Sequence, residues 1–124
     1  MFDFTLLLSA ITLITLDFIY LNVIKGFFNK QITSVQGSPI KINFLGAALT
    51  YIFLIAGLNY FIIKSHKSVN DAFFLGLVIY GVYETTNYAL LKNWSIFTVI
   101  IDTLWGGLLF ASTTFIVNML RNFF

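Results

Sequence analysis

Three acidic residues, Asp17, Glu84 and Asp102, lie inside long apolar stretches, where their type and spacing suit one chemistry: holding a proton or a small cation within a membrane. A charged side chain near the centre of a membrane helix costs about 2.5 to 3.5 kcal/mol on insertion scales, so such residues are expected to turn away from lipid. All seven Lys and Arg fall at or beyond the ends of the apolar stretches, as snorkelling side chains do. The acids therefore have no base at their own level. Three like charges in a low-dielectric layer cannot all ionise without a counter-charge. Either some keep their protons or a cation sits among them.

Four stretches would have to position these residues: 4–24, 42–63, 70–91 and 95–118. Each has the roughly 20 residues that a helix needs to cross a hydrocarbon core of about 30 Å. Apolar residues run on consecutive positions without the strict alternation of a membrane barrel, so the expected fold is an all-α membrane protein. Short connections around 64–69 and 92–94 imply antiparallel neighbours, giving one domain, 1–124, built as an up-down-up-down bundle of four transmembrane helices. The first stretch has no Lys or Arg before it, only Asp3, and reads as a retained span. The connection 25–41 mixes bases and aromatics around Gly26 and Pro39, and either a short interfacial helix or a plain solvated loop is expected there. Orientation is weakly written, with Lys25, Lys30, Lys41 and Lys92 on one side against Lys64, Lys67 and Arg121 on the other.

The rise per residue gives each acid a depth. Asp17 is 13 residues past Phe4 and Glu84 is 14 past Asn70, so each is roughly 20 Å along its span. The fourth span runs the other way, and Asp102, 7 residues past Ser95, reaches the same level from the opposite end. On the second span that level falls near Leu49, Thr50 and Tyr51, so a hydroxyl from Thr50 or Tyr51 is expected to join the acids. Tyr80, Asn87 and Trp105 lie within one or two turns of Glu84 or Asp102 at helical spacing and can donate to carboxyl oxygens. Trp94, in a connection, reads as an interface anchor, and His66 as a solvated loop residue. Gly46, Ala47, Thr50 and Gly57 on the second span, with Gly106 and Gly107 on the fourth, are small enough to allow close helix contact. The runs Leu16-Asp17-Phe18-Ile19-Tyr20 and Ile101-Asp102-Thr103-Leu104-Trp105 share the form aliphatic, Asp, two residues, aromatic. They suggest an inverted relationship between the first and last spans.

Composition closes off much else. Of 124 residues, 59% are hydrophobic and 10% charged, whereas a soluble domain has roughly 25% charged residues to clothe its surface. There is no cysteine and one histidine, which excludes disulfides, thiolate chemistry and a His-based metal cluster within the chain. A net charge of +2 makes no nucleic-acid surface. No lysine lies within a span to carry a Schiff base, no nucleophile elbow is present, and no cofactor is expected.

The residues Asp17 to Tyr20, the run Tyr83-Glu84-Thr85-Thr86-Asn87, Trp94, and Asp102-Thr103-Leu104-Trp105-Gly106 resemble the membrane proteins of domain-of-unknown-function family 2177. Members show an Asp followed by Trp near the end of the first span, a Tyr-Asp-Leu-Thr-Asn-like run, a downstream Trp, and Asp-x-x-Trp-Gly in the last span. This chain departs with Tyr20, Glu84 and Thr85. The resemblance covers nearly the whole chain and implies a compact multi-span fold without an assigned activity.

The functional expectation is a small polytopic membrane protein in which Asp17, Glu84 and Asp102 bind a proton or small cation for transport. Four spans enclose little space, so a conducting path calls for a homo-oligomer. The rival expectation is a structural or accessory protein that binds lipid or another membrane protein, with the acids as hydrogen-bonding glue between helices.

Overall fold

The computed structural model describes residues 4–123, and every regular element among them is helical. Helix α1 spans Phe4–Gln36, α2 Phe44–Leu58, α3 Val69–Leu90 and α4 Ile96–Arg121. A π-helical turn, Asn59–Ile63, continues α2. Asp3 lies outside the described residues. Three segments, Phe4–Gln36, Phe44–Ile63 and Ile96–Arg121, are long and apolar enough to cross a membrane. Helix α3 has 22 residues, but Tyr80, Glu84, Thr85, Thr86 and Asn87 dilute its apolar character.

Local chemistry sets the helix ends. Asn43 caps α2 by accepting from Gly46 N–H at 3.0 Å, and Ser95 caps α4 by accepting from Phe97 N–H at 3.0 Å. Ser68 and Asp71 form a reciprocal capping box at the start of α3, satisfying donors that the first turn leaves open. In the π-helical turn, Lys64 N–H reaches Asn59 O at 2.8 Å. The Asn59 side chain donates to Ile55 O and to Ser9 Oγ, both at 2.8 Å. Its claim on Ile55 O competes with the regular ladder, a local cause for the extra residue in the turn.

The expected break after residue 24 does not occur, and no separate interfacial helix forms. Helix α1 runs for 33 residues, about 50 Å at the α-helical rise, and its last third occupies what reads in sequence as a connection. An isolated glycine costs a helix only about 1 kcal/mol relative to alanine, so Gly26 does not end it. Termination waits for Gly37, whose φ of 79° lets its N–H bond Thr33 O at 2.8 Å, with Pro39 just beyond. Tertiary bonds secure the extension. Gln31 donates to Asn93 O at 2.8 Å and accepts from Ser95 N–H at 2.8 Å and from Thr98 Oγ1 at 2.7 Å. One buried side chain thus clamps the connection between α3 and α4.

The close helix contact is made by α3 and α4. A Cβ on Gly76 would fall 2.1 Å from Gly106 O, and one on Gly107 would fall 2.8 Å from the Phe73 ring. Small residues there bring the backbones together. On α2 the expectation fails: Gly57 has no neighbour within 4 Å, Gly46 meets only its own cap Asn43, and Thr50 is exposed. The reason is that α2 packs mainly on α1, through Tyr51 and Asn59 rather than through a smooth stripe. Leu13, Leu58, Ile62, Ala72, Leu109, Phe110 and Val117 form an apolar core. The buried acids, Gln31 and Thr98 lie toward the other end of α4.

Candidate functional site

Asp17, one turn before Tyr20 on α1, is held from two sides. Tyr51 on α2 donates its hydroxyl to Asp17 Oδ2 at 2.5 Å, and Trp105 on α4 donates its indole N–H to Oδ1 at 2.9 Å. Asp102, one turn before Trp105 on α4, accepts from the Tyr20 hydroxyl at 3.1 Å. Each Asp-x-x-aromatic run therefore uses its aromatic residue to bond the acid of the other run. The two rings, Tyr20 and Trp105, stack with centroids 4.5 Å apart.

Glu84 on α3 completes the cluster. It is 1% exposed, accepts from the Trp94 indole N–H at 2.9 Å, and its carboxyl meets that of Asp102 within hydrogen-bonding reach. The Tyr20 hydroxyl lies within electrostatic reach of all three acids. The structure thus brings Asp17, Glu84 and Asp102 into one neighbourhood spanning three helices, with neutral donors around them. No ion pair involves them among the described residues.

Two cavities reach the cluster. One, of about 450 Å³, is bordered by all three acids, by Tyr20 and Tyr80, and by Lys41 in the segment that follows α1. A second, of about 460 Å³, lies where α2 stands off from α3 and is bordered by Thr50, Tyr80, Tyr83 and Asp102. Tyr80, Tyr83 and Asp102 are common to both. The Tyr80 ring packs over Gly106, where a Cβ would fall 2.3 Å from it.

A model of predicted membrane proteins, DUF2177, matches residues 3–119. The chain belongs to that family. As a DUF2177 protein with three helices long and apolar enough to cross a membrane, it is an integral, multi-pass membrane protein in a lipid environment. No curated protein and no solved structure matches it significantly.

Within this DUF2177 chain the candidate residues sort as follows. Asp17, Glu84, Asp102, Tyr51 and Trp105 meet through hydrogen bonds or carboxyl contact. Tyr80 borders both cavities without bonding an acid through its hydroxyl. Thr50 spends its hydroxyl on Gly46 O at 2.9 Å, the usual back-bond of a helical threonine. Asn87 is half-buried a turn past Glu84 and borders neither cavity. Sequence reasoning missed two donors. Trp94 is not an interface anchor: it is 7% exposed, because the connection folds inward under the Gln31 clamp and carries the indole to Glu84. Tyr20 was legible as a neighbour of Asp17, but its bond goes to Asp102 on another helix. Lys41 is far from the acids along the chain, and only the turn at Gly37 brings it to their cavity.

Proposed function

We propose that the protein spans the membrane four times as one domain, up-down-up-down, with α3 crossing as the third span in addition to the three apolar segments. Contact order supports this reading. Along α3 and α4, Phe73 meets Gly107 while Gly81 meets Thr103; along α1 and α2, Ser9 meets Asn59 while Asp17 meets Tyr51. A polar α3 is tolerated in lipid when its acid faces the bundle, as buried Glu84 does.

Within that bundle the carboxyl cluster binds a proton or small cation on a transport path. The observation that carries this reading is that Asp102 borders two cavities while its carboxyl lies within hydrogen-bonding reach of that of Glu84. An ionisable group reached from two cavities can load from one and release to the other, and two carboxyls in contact can share and pass a proton. A homo-oligomer supplies the longer path that one small protomer lacks. The test is proton and monovalent-cation flux in vesicles reconstituted with the parent, Glu84→Gln or Asp102→Asn. Flux in the parent that both variants abolish, with folding intact, supports transport; a parent without flux sinks it.

A second reading has its own support. Four neutral donors, Tyr20, Tyr51, Trp94 and Trp105, engage the three acids, which is what helix glue in a structural or accessory protein requires. On that reading the same variants shift stability and there is no flux to lose.

A further inference from the structure

At the end of the bundle remote from the acids, a cavity of about 460 Å³ is bordered by Thr5 at the start of α1, Asn59 and Tyr60 in the π-helical turn, Lys64 and His66 just after it, and Arg121 at the end of α4. Aliphatic side chains of α1 and α2 complete its wall. Two departures from regular backbone shape this rim. The π-helical turn adds a residue before Lys64, and His66 holds a φ of 54°, a left-handed conformation that is uncommon for a residue with a side chain. Both act on the short segment that aims Lys64 and His66.

Among the described residues that border this cavity, the charged side chains are all basic. Among the described residues, Lys64, His66 and Arg121 make no ion pair with an acid. Lys64 Nζ lies 6.0 Å from the Tyr60 ring centroid, and Arg121 donates only to the neutral Asn118 Oδ1 at 2.9 Å. Asp71, the described acid nearest to Lys64 and His66 in sequence, is engaged in the Ser68 capping box. Two fixed positive charges that gather around one cavity repel each other until an anion enters. Guanidinium, ammonium and imidazole N–H together are the donors that recognise a phosphate ester. The site lies at the ends of three apolar helices, where a headgroup layer would begin, with an apolar wall beside the charges.

We propose that this cavity binds the phosphate of an anionic phospholipid headgroup, a site independent of the carboxyl cluster and its function. The full chain is reconstituted in vesicles of phosphatidylcholine and phosphatidylglycerol, and the preference for spin-labelled phosphatidylglycerol over spin-labelled phosphatidylcholine is measured. The expected result is a severalfold preference, reduced about fivefold by Lys64→Gln or Arg121→Gln and kept by Arg121→Lys. A Lys25→Gln/Lys30→Gln chain, altered on α1 away from the cavity, is expected to keep it as well. Circular dichroism of each variant separates loss of binding from loss of fold. A parent without preference overturns the proposal, as does a preference that the Lys25/Lys30 pair removes equally. Millimolar inorganic phosphate is the final arm: if it abolishes the preference, the occupant is free phosphate and the lipid assignment fails.

Discussion

Tyr20 and Trp105 stack face to face, their planes 5° from parallel, while each donates a hydrogen bond to the aspartate on the other's helix. The pair couples two acids through one aromatic unit. Tyr20→Phe keeps the stack and removes the donor to Asp102. A hydrogen bond between membrane helices contributes about 0.6 kcal/mol on average, and one to a charged group in general about 1.5 to 3 kcal/mol. The expected loss is therefore about 1 kcal/mol in denaturant unfolding from detergent micelles. A double-mutant cycle with Trp105→Phe is expected to give a coupling of at least about 0.5 kcal/mol, because the two sites touch. Strict additivity would show that the crossed pair is only two separate bonds.

Trp94 and Trp105 are the two tryptophans of the chain, and each indole N–H faces a carboxyl. In a Trp105→Phe background, Trp94 is the one tryptophan left, and its indole N–H bonds the Glu84 carboxyl. A fluorescence titration is expected to show a pH-dependent step that vanishes when Glu84→Gln is added. A step that persists without the carboxyl would rule out Glu84 as its source.

Gly76 and Gly57 make a contrasting pair. Alanine at Gly76 forces its Cβ against the Gly106 carbonyl, and overpacking of this kind costs typically about 1 to 3 kcal/mol. Alanine at Gly57 meets nothing within 4 Å and gains helix propensity of about 0.5 to 1 kcal/mol. Thermal denaturation in detergent should move the two variants in opposite directions.

Gln31 holds both the α3–α4 connection and the first turn of α4. Gln31→Leu keeps the volume but leaves Asn93 O, Ser95 N–H and Thr98 Oγ1 without this partner, at about 1 kcal/mol each. Hydrogen exchange across residues 91–98 is expected to rise while α3 upstream of Glu84 stays protected. Unchanged exchange would show that the connection holds without the clamp.

The Thr113 hydroxyl is buried with no hydrogen-bond partner. Thr113→Val removes a polar group that makes no bond and is expected to stabilise the protein by up to about 1 kcal/mol. Denaturant unfolding checks the sign.

What the sequence by itself determined is what depends on composition and period. Apolar runs with few charges specify helices in lipid, because a lipid-exposed backbone must satisfy its own hydrogen bonds. The spacing of Asp17, Glu84 and Asp102 within those runs follows from the rise per residue alone, and so does a set of polar neighbours, Thr50 or Tyr51, Tyr80, Asn87 and Trp105, from which packing selects Tyr51 and Trp105 as donors.

Tertiary structure decided what depends on partners far along the chain. Helix α1 continues past Gly26 because Gln31 finds Asn93, Ser95 and Thr98, and no local propensity encodes that gain. Trp94 turns inward for the same reason. The tight approach falls at Gly76 and Gly106 rather than along α2, since small residues permit close contact but do not choose the partner. Crossing of the two Asp-x-x-aromatic runs also belongs to this level: an acid takes the donor that the neighbouring helix presents, and only the packing of α1 against α4 sets which one that is.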